Sequence, residues 1–214
     1  MHRSAFCAVL LLACMVIPAP AFAVIDISPK EIVVHNKSTS VQIINKGDRP
    51  EYVSITLSRL LNPGVEVASE KLEPITLASK PVLYAFPFRI TLAPGQSKTI
   101  TLKPLQEVER EQVYRLDVTP VLSLNETEHR AASGTVSVNL SFSALVRQLP
   151  LDEKSRIAVT CEASGARLTA SGNVRFQVKG ATVEGAAVAP FNVYPGEPKV
   201  LKGKSISIPG QPSC

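Results

Sequence analysis

Residues Thr135–Pro150 read TVSVNLSFSALVRQLP, a run in which apolar and polar side chains alternate before an arginine. Successive side chains of a β-strand point to opposite faces, so the alternation predicts a strand with one apolar and one polar face. The apolar row consists of Val136, Val138, Leu140 and Phe142. Two interpretations are open: the row packs inside the protein's own sandwich, or it is kept for the core of another protein.

The N-terminal residues indicate export. His2 and Arg3 precede an apolar run from Ala5 to Ile17, and small residues then surround a cleavage site at Ala23, as in a secretory signal peptide. We therefore expect a signal peptide over residues 1–23. The run is shorter than the about 18 residues that cross a bilayer, and no later stretch qualifies, so no membrane span is predicted. The alternative is a lipoprotein cleavage box that ends at Cys14.

Two cysteines, Cys161 and Cys214, remain after loss of the signal peptide. In an oxidising compartment the simplest interpretation is one disulfide between them. The alternative is two free thiols.

Composition predicts an all-β protein. The chain is rich in Val, Ile, Leu, Thr and Ser, and Pro and Gly recur between apolar segments. Seven strands are predicted in a first domain over residues 24–148, which suits an immunoglobulin-like sandwich; they are Ile25–His35, Ser40–Asn45, Tyr52–Leu60, Val82–Leu92, Lys98–Leu102, Val113–Val121 and Thr135–Arg147. The polar segment Ser123–Ser133 is expected to be a loop.

A small second β-sandwich is predicted over residues 149–214. Its strands are expected at Arg156–Cys161, Arg167–Ala170, Val174–Lys179 and Lys204–Ile208, and Gln148–Lys154 is expected to be the linker. A unit of this size buries little core, so the disulfide and contact with the first domain are expected to stabilise it.

Charge and motifs argue against catalysis and nucleic-acid binding. The formal net charge is +5; without Arg3 it is +4, from 22 basic and 18 acidic residues, and the basic residues are scattered without interleaved aromatics. His35 and His129 have no metal-ligand spacing, and no nucleophile elbow, phosphate-binding glycine loop or C-x-x-C pair is present. The carboxylates of Glu107–Glu111 are expected in a solvated loop. We therefore expect a binding protein that is not an enzyme and needs no cofactor or metal.

The order of several segments resembles the periplasmic chaperones of the chaperone–usher pathway, which assembles bacterial pili. The segments are Ser28–Ile32 (SPKEI), Leu92–Ser97 (LAPGQS), Val113–Leu116 (VYRL) and Val136–Pro150. Residues Asn139–Pro150 together with Ser171–Arg175 (SGNVR) are most similar to the alternate, or α-fimbrial (class 5), branch.

The resemblance implies how the apolar row is used. In this family the last strand of the first domain lends its apolar side chains to an incomplete immunoglobulin-like pilin subunit and fills the groove of the missing strand. At those positions stand the four residues of the row, Val136, Val138, Leu140 and Phe142. Pairing at an open sheet edge, with alternate side chains in pockets, is an established mode of peptide recognition.

The resemblance also implies an anchor for the subunit's C-terminal carboxylate, made by two basic residues in the cleft between the domains. By position these are Lys30 and Arg147. A guanidinium can bind a carboxylate through two parallel hydrogen bonds. Arg147 is opposite in phase to Phe142, so a regular strand would point it away from the apolar row.

The expected protein is therefore a periplasmic chaperone. Its expected partners are major and minor pilin subunits and an outer-membrane usher, with no nucleic acid and no membrane span. The exposed strand leaves self-association of the free protein open. The alternative is a structural or adhesive immunoglobulin-like pilus or surface protein, which has no need of a basic residue on each side of a hinge.

Overall fold

The computed structural model describes residues 24–78, 80–121 and 140–214. Several predicted features lie outside the described residues: the signal peptide, the Ser123–Ser133 loop, Val136 and Val138. Within them the chain is β-structure with two single-turn 3-10 helices, Val67–Ser69 and Ile75–Leu77. None of the described helices has the length and apolar character needed to cross a bilayer. The all-β prediction is confirmed.

The first domain is a sandwich of two sheets. Its described strands, in chain order, are β1 (Ile25–Ser28), β2 (Glu31–Val34), β3 (Thr39–Asn45), β4 (Glu51–Leu60), β5 (Leu72–Pro74), β6 (Leu83–Phe86), β7 (Arg89–Leu92), β8 (Ser97–Pro104), β9 (Gln112–Pro120) and β10 (Phe142–Gln148). One sheet has the order β1-β3-β8-β6. The other has the order β2-β10-β9-β4-β5, and β7 also pairs with β4.

Alternate side chains of the two sheets form the core of this domain. Ile25, Ile43 and Leu102 come from the first sheet, and Leu116 and Val146 come from the second; all five are fully buried. Each large aliphatic side chain buried in this way contributes about 1.5–3 kcal/mol. The position of β10 is therefore set on one face by packing in this core.

Two predicted strands are divided in the structure. Ile25–His35 becomes β1 and β2, and Val82–Leu92 becomes β6 and β7, with a proline at each break. Both breaks contain a cis peptide bond, Ser28–Pro29 and Phe86–Pro87. Proline has no N–H to donate to a sheet. In each case the chain leaves one sheet of the sandwich and joins the other.

The second domain is built from short strands. They are β11 (Ile157–Glu162), β12 (Gly165–Ala170), β13 (Phe176–Val178), β14 (Thr182–Val183), β15 (Ala186–Ala187), β16 (Phe191–Val193), β17 (Lys199–Lys202) and β18 (Ile206–Ser207). They form three small sheets, β11-β12-β17, β13-β16 and β15-β14-β18, around a core that includes Leu168, Val178 and Ile206. Strands β14 to β17 escaped sequence prediction because segments of two to four residues carry little periodicity.

The structure contains the disulfide between Cys161 and Cys214, with a Cα–Cα distance of 5.3 Å and a sequence separation of 53 residues. Cys214 also exchanges two backbone hydrogen bonds with Ile206, of 2.8 and 2.9 Å. The C-terminal residue is thus held to β11 by the disulfide and to β18 by its backbone.

The two domains meet through an apolar contact beside the connection between β10 and β11. Leu60, Val113 and Leu145 of the first domain pack with Tyr194 of the second. The connection begins after Gln148, and its Glu153 carboxylate lies 3.0 Å from the His35 imidazole. Leu145 therefore faces the second domain, whereas its neighbours Ala144 and Val146 face the core of the first.

We predict that the mature chain has no free thiol and that Cys161→Ser/Cys214→Ser lowers the stability of the second domain. Opening a loop of this length costs about 4 kcal/mol by the chain-entropy relation, and typical losses are about 2–4 kcal/mol. Urea unfolding followed in both proteins measures the loss. Two reactive thiols in the native protein, or equal stability of the double variant, would contradict the prediction.

Candidate functional site

The edge of the larger sheet is open at the start of β10. Strand β9 pairs with β10 over its whole length, from Phe142 to Gln148. Strand β2 pairs with β10 only from Leu145 onward. The last hydrogen bond on that side runs from the Leu145 N–H to the Lys30 carbonyl, at 2.9 Å. Among the described strands, none covers this side of Phe142–Ala144, and an uncovered strand edge can pair with another chain.

The apolar row divides in the structure between two environments. Leu140 is 52% exposed. Phe142 is partly buried and packs against the core of the first domain, and Ala144 and Val146, which continue the row, are fully buried in that core. The protein's own core therefore takes the C-terminal end of the row, and exposure begins at Leu140.

Lys30 lies beside the open edge. It follows the Ser28–Pro29 break, and the exposed fraction of its side chain is 60%. Its ammonium lies 5.5 Å from the centroid of the Phe142 ring, within the range of a cation–π contact. Lys30 also hydrogen-bonds to the Asp26 carboxylate, as does Lys46. These two ammonium groups, Lys30 first, lower the pKa of Asp26 to about 2.

Arg147 lies on the other face of β10 and is not free in this structure. Its Nε donates to Oε1 of Glu111 at 2.5 Å, and its Nη1 donates to Oε1 of Glu31 at 3.3 Å. The exposed fraction of the arginine side chain is 11%, and that of Glu111 is 0%. The structure therefore brings Lys30 to Phe142 and Arg147 to two carboxylates, on opposite faces of one strand.

Glu111 was expected in a solvated loop, and this expectation is wrong for that residue. Its carboxylate is enclosed between the domains because Oε1 accepts from Arg147 and Oε2 accepts from the backbone N–H of Arg175, at 2.5 Å. The Glu111 N–H in turn donates to the Asn173 carbonyl at 2.9 Å. Its neighbours Glu107 and Glu109 are exposed.

Sequence reasoning missed the second-domain residue of this site, Arg175. Its Nη2 donates to Oε1 of Glu31 at 2.7 Å, and its Nη1 donates to the Tyr194 hydroxyl at 3.4 Å. The segment that contains Arg175 was noted only for its family resemblance. Its pairing with Glu31 and Glu111 spans most of the chain and leaves no local pattern. Among the described residues, no group of three His, Cys, Asp or Glu side chains is arranged to hold a metal ion.

Comparisons with known proteins identify the fold. No protein-family model matches the chain. It is 30% identical to a CS1 fimbrial protein of Escherichia coli over 178 residues, which cover 80% of this chain and 73% of that protein. The class 5 fimbriae chaperone CfaA is 21% identical, with 88% of this chain and 93% of that chain covered and a TM-score of 0.68.

A second structure with this fold is a chaperone–tip adhesin complex of CFA/I fimbriae biogenesis. The matched chain is 22% identical, with 87% of this chain and 94% of that chain covered and a TM-score of 0.68. The two-domain fold is therefore shared over nearly the whole described chain.

We predict that Arg147→Ala lowers the free energy of unfolding by about 3–5 kcal/mol, because it leaves the buried Glu111 carboxylate without its cation. Arg147→Met/Glu111→Gln removes both charges and keeps most of the volume, so it should lose less. Urea unfolding compares the variants.

Arg167→Ala is the matched control, since the Arg167–Glu162 pair is partly exposed and should contribute about 0–1 kcal/mol. If Arg147→Ala proves no more destabilising than this control, the structural role of the buried pair is wrong.

Proposed function

The chain belongs to the family of the CS1 fimbrial protein and has the two-domain fold of the chaperone–usher pilus chaperones, and from this premise we propose that it is a periplasmic chaperone for pilin subunits. It captures subunits by donor-strand complementation and delivers them to an outer-membrane usher. The observation that carries the proposal is the open edge of β10 beside Leu140, Phe142 and Lys30.

The proposed capture step uses the open edge as a template for pairing. A pilin that lacks its last strand exposes an apolar groove with unpaired backbone groups on each side. The backbone of the donor segment would pair with those groups, and the four side chains Val136, Val138, Leu140 and Phe142 would enter the groove. The exposure of Leu140 supports this assignment for the described end of the row.

Lys30 is the first proposed anchor of the subunit's C-terminal carboxylate. Its ammonium is mostly exposed and stands at the point where pairing between β2 and β10 ends. A carboxylate bound there would fix how far the subunit strand slides along β10, and register decides which side chains enter which pockets. The present partner of Lys30, Asp26, is also bound by Lys46, so a change of partner leaves Asp26 paired.

Arg147 is the second proposed anchor, and it has to change partners to act as one. Glu111 is wholly buried behind it, whereas Glu31 is 43% exposed and bonded at the longer distance of 3.3 Å. An incoming carboxylate would therefore replace Glu31 and leave the bond to Glu111 in place.

Delivery follows from the same contacts. The proposed exchange at the usher replaces the chaperone strand by the N-terminal extension of the next subunit. The energy comes from the better fit of that extension, and no nucleotide is required. A structural or adhesive role remains the alternative, and the fold similarity to pilus chaperones supports the chaperone role over it.

We predict that Leu140→Asp abolishes capture without loss of folding, because a charge would enter the apolar groove of the subunit while an exposed side chain is changed in the free protein. The assay is periplasmic co-expression with a pilin encoded beside this gene, with soluble complex measured after affinity purification.

Leu151→Asp is the matched control, since Leu151 is 61% exposed and lies on the connection between the domains. Normal yield of complex with Leu140→Asp, or equal loss with both variants, would remove the donor-strand assignment. Phe142→Asp should also abolish capture, but that residue contacts the protein's own core and its variant needs a stability control.

We predict that Lys30→Ala weakens capture about tenfold to a hundredfold, the range expected for loss of one charge-assisted hydrogen bond of about 1.5–3 kcal/mol. The binding constant for the purified pilin measures the effect. Lys46→Ala is the control, because it removes a lysine of similar exposure from the same carboxylate, away from the open edge. Equal affinity of the two variants would exclude Lys30 as the anchor.

A further inference from the structure

One carboxylate of the protein lies between two arginines that belong to different domains. Oε1 of Glu31, on the edge strand β2, accepts from Nη1 of Arg147 at 3.3 Å and from Nη2 of Arg175 at 2.7 Å. Arg147 is on β10, and Arg175 precedes β13 in the second domain. Two guanidinium groups that converge on one oxygen form a binding site for a carboxylate, and Glu31 occupies it.

The two acidic residues of this cluster differ in exposure. Glu111 is wholly buried, and it binds Nε of Arg147 and the backbone N–H of Arg175. Glu31 is 43% exposed and contacts only the outer nitrogens of the two arginines. Glu111 therefore holds both arginines in place whether or not Glu31 is bound, so Glu31 is the carboxylate that can leave.

The arginines have capacity for a different carboxylate. Within the described residues, Nη2 of Arg147 and Nε of Arg175 have no hydrogen-bond partner, and the exposed fractions of the two side chains are 11% and 17%. A free carboxylate can use both of its oxygens on these groups. Glu31 presents only Oε1 to them, because its backbone is held in the pairing of β2 with β10.

We propose that Arg147 and Arg175 form a carboxylate site across the two domains and that Glu31 is its internal occupant, displaced when the C-terminal carboxylate of a captured subunit binds. The identity of that ligand rests on the proposed function; the site itself does not. Arg175 becomes an anchoring residue supplied by the second domain. Glu31 sets a threshold for binding, since a ligand without a free carboxylate cannot replace it.

Sodium acetate tests the site without any pilin. In the chain with Glu31→Gln, acetate should shift the Nε–H NMR signals of Arg147 and Arg175 in a saturable way, with an apparent Kd about tenfold lower than in the unchanged chain, because the competing charge is gone. Acetamide and sodium chloride serve as neutral and ionic-strength controls. Glu162→Gln, which removes the partner of Arg167 at the surface, should leave the acetate response unchanged.

The result that overturns the site is the absence of a saturable shift with Glu31→Gln, or the same Kd in both proteins. Arg175→Met added to Glu31→Gln should abolish the gain; retention of the gain would exclude Arg175. Urea unfolding of Glu31→Gln shows whether the domain contact survives, and the Glu111 bonds predict that it does.

Capture of the co-expressed pilin separates this proposal from the proposed function. Glu31→Gln should raise the yield of complex and Arg175→Met should lower it. Acetate binding as expected with no capture by the unchanged chain would reject the chaperone role and leave the carboxylate site standing. Capture that is insensitive to Glu31→Gln and Arg175→Met would reject the site as the subunit anchor and leave the chaperone role standing.

Discussion

The buried ion pair between Glu111 and Arg147 is the contact on which the rest of the site depends. A buried charge pair gains little net stability, because desolvation offsets most of its attraction, but its geometry is demanding. Here the pair accepts only one phase of β10, with Arg147 turned toward the second domain. A shift of one residue would turn every side chain of the strand to the opposite face. The pair therefore helps to keep Phe142, Ala144 and Val146 on the core side.

The open edge has a separate origin, in the path of the chain before β2. Strand β1 pairs with β3 in one sheet, and β2 pairs with β10 in the other, so the chain crosses the sandwich at Pro29. Because this crossing delays pairing with β10 until Glu31, the residues of β10 before Leu145 lack a neighbour on that side among the described strands. The same crossing places Lys30 at the end of the paired region. One proline thus accounts for both the free edge and the cation beside it.

Sequence reasoning was successful where the signal is local. Alternation in Thr135–Pro150 indicated a strand, and its parity placed Arg147 opposite Phe142, as the structure has it. The disulfide followed from two cysteines and an oxidising compartment. The burial of Glu111 and its contacts with Arg147 and Arg175 join residues 36 and 64 positions apart, and no periodicity or spacing encodes such pairs. The proline breaks were legible in the sequence, but an apolar run on each side of the proline imitated a single strand.

The two basic residues predicted as one clamp differ in chemistry as well as in position. Lys30 is an exposed ammonium on a flexible stem, which suits a point contact with a ligand that arrives from solvent. Arg147 is a planar fork already bonded at two of its nitrogens, so it suits a ligand that matches a preset direction. A terminal carboxylate that reaches the arginine must pass the strand edge where Lys30 stands. The lysine then attracts the subunit, and the exchange with Glu31 behind it admits only a chain that ends in a carboxylate.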